Sequence, residues 1–268
     1  MEVRKIARKI PFLYKAVGFF RYWQHQKQLV RANAAYVRGS KFPPPALRYR
    51  VHRAFDLTSY QQVGQAIAND IAVALERNGL TLDGKKVLDL GSGPGRVAFW
   101  LKQRFPSCML HCSDIDAEAI GWASENLQEV ASFHLNDAEP PTDFPDAGFD
   151  FVYCISLFTH LDAEMQDKWL QELRRIVKPG GFVLATTHGR FAMDSCTKEE
   201  VAEIERNGIH FRVDRSGALK LDGLPDFYQT TFHSKQYVER HWGKFFELVS
   251  HSEGGLGRHQ DMILMRRK

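Results

Sequence analysis

Hydrophobic positions change period several times along the chain. Val3, Ile6, Ile10, Leu13, Val17 and Phe20 recur every three or four residues, with Arg4, Lys5, Arg8 and Lys15 on the opposite side. That spacing predicts an amphipathic basic helical stretch. Pro11 falls inside it, where a proline removes a hydrogen bond and clashes with the preceding turn, so two short helices are expected. Phe42-Pro43-Pro44-Pro45 then reads as a stiff extended connector, and a helix over about 59–78 ends at Asn78-Gly79.

From Lys85 the text alternates. Strands are predicted at 87–90, 108–112, 131–135, 149–155 and 182–187, with helices at 94–104, 116–127 and 163–177 between them. Strand and helix repeated at this spacing predict an α/β fold with a doubly wound, mostly parallel sheet covered on both faces. After Thr197 the rhythm changes to a helix reaching about Arg206, a hairpin around Asp214-Arg215-Ser216-Gly217, a helix at 235–242, and two closing strands at 245–251 and 261–265. The chain therefore divides into a basic helical N-terminal extension, 1–41, and a body, 42–268, carrying an insertion at about 208–234 and ending in an antiparallel hairpin.

Composition narrows the classes. With 268 residues, 44% hydrophobic and 25% charged, the chain can bury a substantial core, which excludes a disordered regulator. No run of eighteen apolar residues exists to span a membrane. The net charge of +4 conceals a split: residues 1–41 hold ten basic residues against Glu2 alone, so the body is mildly acidic. The extension has two readings: a membrane-surface anchor using Phe12, Phe19, Phe20 and Trp23, or a helix packed on the body with its charges solvated. Cys108, Cys112, Cys154 and Cys196 lack CxxC spacing and no signal-peptide core is evident. Free thiols, no metal site and a cytoplasmic location, with peripheral membrane contact through 1–41, are the expectation.

Candidate chemistry concentrates at Asp89-Leu90-Gly91-Ser92-Gly93-Pro94-Gly95-Arg96, which joins the first strand to the first helix. Glycines let a ligand approach the backbone there, and a helix N-terminus offers unpaired N–H groups. Asp114, at the end of the second strand, is placed to accept hydrogen bonds from both hydroxyls of a ribose. The third glycine of the dinucleotide fingerprint is replaced by Arg96, leaving G-x-G-x-G behind an acid.

In this the sequence resembles the class I S-adenosylmethionine-dependent methyltransferases. Ser113-Asp114-Ile115-Asp116 is similar to the family's second motif, Asn136-Asp137-Ala138 to its third, and Phe149 to Leu157 to its fourth strand and exit. Leu170 to Gly181 resembles the helix and turn before its fifth strand. The resemblance covers roughly Pro45 to the C-terminus. It implies a Rossmann-like methyltransferase fold, S-adenosyl-L-methionine as cofactor, and cofactor contacts from Asp89, Gly91, Ser92, Gly93, Gly95, Arg96, Asp114, Ile115, Asp137, Ala138 and Ile155. Short matches around residues 44–51, 158–161, 186–189 and 260–261 resemble a subgroup acting on glycans, lipids and secondary metabolites, so the expected acceptor is a small molecule or a glycan- or lipid-linked group.

A sulfonium is already a strong methyl donor, so positioning and removal of an acceptor proton are what remain. His188, after the fifth strand, is the first candidate base and His160, after the fourth, the second; each also suits a purely backbone-bonding role. His233 and Asp261 are weaker candidates placed by topology, and Arg48 is placed before the core to meet the donor's carboxylate. The insertion carries Phe211, Phe227, Tyr228 and Phe232, suited either to cover an acceptor or to pack on the sheet. Nucleic acid is disfavoured as an acceptor by the acidic body and by the lack of an asparagine-proline-proline-tyrosine type motif. The rival reading is a catalytically silent module that docks a partner or a membrane.

Overall fold

The computed structural model describes residues 11–37, 39–213, 225 and 227–268. A helix, α1 (Pro11–Ala34), is followed by α2 (Pro45–His52) and α3 (Leu57–Arg77), and then by the alternating body. Among the described residues, α1 starts at Pro11 and continues to Ala34, longer than the short helix expected there; Val3, Ile6 and Ile10, on the other side of the proline, lie outside the described residues. Among the described residues no helix is long and apolar enough to cross a membrane.

The body runs β1 (Lys86–Leu90), α4 (Arg96–Arg104), β2 (Met109–Asp114), α5 (Ala117–Asn126), β3 (Ser132–Leu135), β4 (Phe149–Cys154), α6 (Ala163–Ile176) and β5 (Val177–Thr187). A 3₁₀ turn (Arg190–Ser195), α7 (Lys198–Asn207), β6 (Ile209–Arg212), β7 (Thr230–His233), α8 (Lys235–Trp242), β8 (Glu247–Leu256) and β9 (Gln260–Arg266) complete it. The main sheet has seven strands in the order β3-β2-β1-β4-β5-β9-β8, and only β9 runs against the rest, antiparallel to both of its neighbours, β5 and β8. This is the doubly wound sheet with an antiparallel closing hairpin that the alternation predicts.

Both faces are buried because successive side chains point opposite ways. Val87, Phe151, Tyr153 and Leu184 face α3, α4 and α5. Leu88, Val152, Cys154 and Val183 face α6 and α8, with Trp169, Trp242 and Phe246 filling that layer. Three of the four cysteines are buried and all four are free thiols.

Three local features differ from the sequence expectation. Strand β5 extends back through Pro179, Gly180 and Gly181, because Phe149 pairs with Val177 across an irregularity. Strands β6 and β7 form their own two-stranded antiparallel sheet, but the turn expected at 214–217 lies outside the described residues. The extension is not detached: the His25 ring of α1 packs edge-on to Tyr49 at 4.5 Å and against Phe55 at 5.1 Å.

Candidate active site

The carboxyl ends of β1, β2, β4 and β5 open into one cavity of about 710 Å³, in the size range of small-molecule sites. This is where an open parallel sheet places ligands.

The first half is the turn after β1. Gly91, Gly93 and Gly95 all hold positive φ, of 80°, 53° and 80°, a region that L side chains seldom enter. A Cβ on Gly93 would stand 2.6 Å from Val51 Cγ1, so α2 lies directly over the turn. Asp114 ties the turn to β2: its Oδ2 accepts the Gly93 N–H at 2.6 Å and its Oδ1 the Asp116 N–H at 2.9 Å. Burial raises its pKa against the lowering effect of those two N–H groups. Asp89 is buried and accepts the Tyr153 hydroxyl proton at 2.8 Å; burial lifts its pKa to about 7. Arg96, one turn on, has a buried Nε with no hydrogen-bond partner, and burial lowers its pKa.

Asp89, Gly91, Ser92, Gly93, Arg96, Asp114, Ile115, Ala138 and Ile155 line this cavity. Gly95 and Asp137 do not. A Cβ on Gly95 would approach Leu127 Cδ1 to 3.1 Å, and its φ of 80° favours glycine in any case. Asn136 lines the wall beside Ala138, its side-chain oxygen accepting the Ser113 hydroxyl proton at 2.5 Å. Arg48 is absent from this cavity; Arg50, Val51, His52 and Arg53 of the same segment line it. Helical geometry turns residue 48 to the other side. The chemistry present fits an adenosyl amino acid: a carboxylate at the ribose position, a buried acid for an ammonium, an unpartnered guanidinium for a carboxylate and an apolar wall for a purine.

The second half lies beyond β4 and β5. Ser156 leaves β4 with φ 60°, unusual for a residue with a Cβ. It is held by its N–H to Thr186 Oγ1 at 2.8 Å and by the Gln260 amide donating to its hydroxyl at 2.9 Å. His160 donates Nδ1–H to the Gln229 carbonyl at 2.5 Å and stacks on Tyr228 with centroids 4.0 Å apart. His188 donates Nδ1–H to the Thr231 carbonyl at 3.2 Å. A carbonyl can only accept, so both rings keep Nε2 unprotonated. Burial lowers their pKa to about 3 and about 4. Both line the cavity, their ring centroids 6.3 Å apart.

The insertion fixes these rings by backbone pairing. Gln229 N–H donates to His160 O, Thr231 N–H to Thr159 O, and His233 N–H to His188 O. Underneath, Gln166 donates to the carbonyls of Phe158 and Leu161 and accepts His233 Nε2–H at 3.0 Å. His233 is buried outside the cavity, as part of this support. Asp261 is also outside: it accepts His251 Nε2–H at 3.1 Å and the Gly254 N–H at 2.8 Å. A Cβ on Gly189 would stand 1.9 Å from Asp261 Oδ2, so only glycine lets β5 exit there. Phe227 and Tyr228 line the cavity, whereas Phe232 is buried beneath the Arg212 guanidinium at 4.5 Å. His259, not singled out by the sequence, lines the cavity with its ring 5.5 Å from His188; its only sequence signal was adjacency to Gln260-Asp261.

Comparison with known proteins agrees with this geometry. Residues 87–181 match the family model described as methyltransferase domain. The chain is 29% identical over 108 residues to the phosphoethanolamine N-methyltransferase of Plasmodium falciparum, covering 40% of each chain. It is 25% identical over 114 residues to a tRNA N(3)-cytidine methyltransferase of Gallus gallus, covering 40% of this chain and 31% of that one. The matches thus span less than half the length of these relatives. In fold, it is similar to the magnesium protoporphyrin IX methyltransferase of Synechocystis solved with S-adenosylhomocysteine, at TM-score 0.52 and 18% identity over 80% of this chain and 88% of that chain.

Proposed function

The chain belongs to the class I S-adenosylmethionine-dependent methyltransferases, and from that premise we propose that it moves a methyl group from S-adenosylmethionine to an oxygen or nitrogen of a small-molecule, glycan-linked or lipid-linked acceptor. One observation carries this reading: two histidines, each fixed through Nδ1 and each keeping an unprotonated Nε2, share a cavity with the glycine turn.

The roles follow from the positions. Asp114 holds the ribose hydroxyls, Asp89 the ammonium and Arg96 the carboxylate, while Ile115, Ala138 and Ile155 flank the adenine. When bound, the cofactor supplies an activated methyl whose carbon–sulfur bond breaks as the bond to the acceptor forms, its electron pair staying on sulfur. His188 Nε2 takes the acceptor's proton, and His160, beside it and stacked on Tyr228, orients the acceptor. Burial keeps both rings neutral at pH 7, so that Nε2 is free to accept a proton, though it lowers their basicity. Phe227 and Tyr228 exclude water over the reacting atoms.

A tRNA-modifying relative gives a nucleic-acid acceptor support that the sequence did not, and the basic extension suits phosphates. The test uses methyl-labelled S-adenosylmethionine with source-cell extract, partitioned into aqueous, organic, protein and RNA fractions. Label in the aqueous or organic fraction is expected, with His188→Ala reducing it 10²- to 10⁴-fold, the usual worth of a positioned base, while S-adenosylhomocysteine still binds. Label confined to RNA overturns the acceptor class. No label in any fraction, with the cofactor product still bound, supports the silent module.

A further inference from the structure

A second cavity, of about 500 Å³, lies between α1 and the corner joining α2 to α3. Arg48 lines it at 5% exposure, and its Nε is buried with no partner. No side-chain hydrogen bond or ion pair to Arg48 is formed among the described residues, although its neighbours Arg50 and Arg53 are engaged. A guanidinium remains charged at any physiological pH, so burying one without a partner is costly until an anion joins it. Arg31 of α1 adds a second guanidinium to the same walls, and Tyr36 and Ser40 add hydroxyls. The Ser40 oxygen already accepts the Phe42 N–H, leaving its own proton to donate. The one acid lining the space, Asp56, reaches Arg48 only through its field, without an ion pair: it is turned to the start of α3, where its Oδ2 accepts the Ser59 N–H at 2.6 Å.

We propose that this cavity binds a phosphate monoester, with Arg48 and Arg31 as its two cationic walls. Two guanidiniums and two hydroxyls suit a tetrahedral dianion, which offers more acceptor positions than a carboxylate. The source is either a soluble phosphate ester or a lipid headgroup reached along α1, where Phe20 and Trp23 are exposed at 56% and 54%.

The experiment compares the full chain with Arg48→Met, which keeps the volume and removes the charge. Without phosphate the variant should unfold at the same temperature or higher, since it relieves a buried unpaired charge. Glycerol phosphate at about 100 times its Kd should raise the wild-type midpoint by on the order of 5 °C, against a sodium chloride control of equal ionic strength, and leave the variant unmoved. Co-sedimentation with phosphatidylcholine vesicles containing phosphatidic acid, against vesicles of equal charge containing phosphatidylserine, identifies the source. Preference for phosphatidic acid that Arg48→Met abolishes means a headgroup; no preference with the thermal effect intact means a soluble ester. Equal responses of both proteins to both probes overturn the site. S-adenosylhomocysteine titration in parallel reports the other cavity, so loss of cofactor binding is read separately.

Discussion

In the half of the main cavity beneath β1 and β2 the glycine turn is tied to a carboxylate 21 residues on, whereas the half beyond β4 and β5 is assembled from segments more distant in sequence. In the first, Asp114 reaches Gly93 and Asp116, and the next acid, Asp116, caps α5. In the second, His160 depends on a carbonyl 69 residues away and Ser156 on a side chain 104 residues away. The difference suggests where substitutions act. A backbone turn held by one carboxylate fixes a common cofactor, while a composite wall can change acceptor without touching it.

The strongest way to break this contrast is to remove the carboxylate. Asp114→Ala loses two charge-assisted bonds to backbone N–H groups, worth roughly 1.5–3 kcal/mol each, as well as the ribose contact. Calorimetry should show S-adenosylhomocysteine binding weakened at least about 100-fold. Unchanged affinity would remove the ribose assignment and with it the idea of a locally built half.

That half was also the readable one. The acid, G-x-G-x-G and Asp114 lie within about 25 residues and encode one turn, so spacing alone located them. Gly95 escaped because the same positive φ serves packing on Leu127 as well as ligand approach. Arg48 was assigned to the wrong cavity because proximity in sequence to Arg50 does not say which side of a single helical turn faces the ligand. His259 and the support by Gln166 were not readable, because only the folded sheet brings β9 and α6 to the histidines.

The two halves should also titrate in opposite senses. Burial holds His233 at about 3 in the folded state, below the 6.5 of an unfolded histidine. As pH falls from 6.5 the unfolded chain takes up a proton that the folded one refuses, so stability declines. Between pH 6.5 and 5 this amounts to ~2 kcal/mol. Denaturant unfolding of His233→Gln should show that much less acid sensitivity, and an identical pH profile would argue against a buried neutral ring supporting the acceptor wall.

A smaller effect is expected at Asp89. Its pKa of about 7 lies above that of an unfolded carboxyl, so from about pH 4 to 7 the folded chain keeps a proton the unfolded one has released. Stability from this group is present at low pH and is lost as pH rises. An ammonium ligand needs the ionised form, and S-adenosylhomocysteine affinity should therefore rise about tenfold from pH 6 to 8. A flat profile that persists in Asp89→Asn would assign that ammonium to another group.

The main-chain pairing of Gln229, Thr231 and His233 with Thr159, His160 and His188 has an evolutionary reading. Main-chain bonds do not depend on which side chains a segment carries. Residues of the insertion that face an acceptor can be exchanged wholesale while the two imidazoles keep their tautomer and aim. Reactivity and preference are thereby heritable separately, and a lineage can try new acceptors without first surrendering the old chemistry.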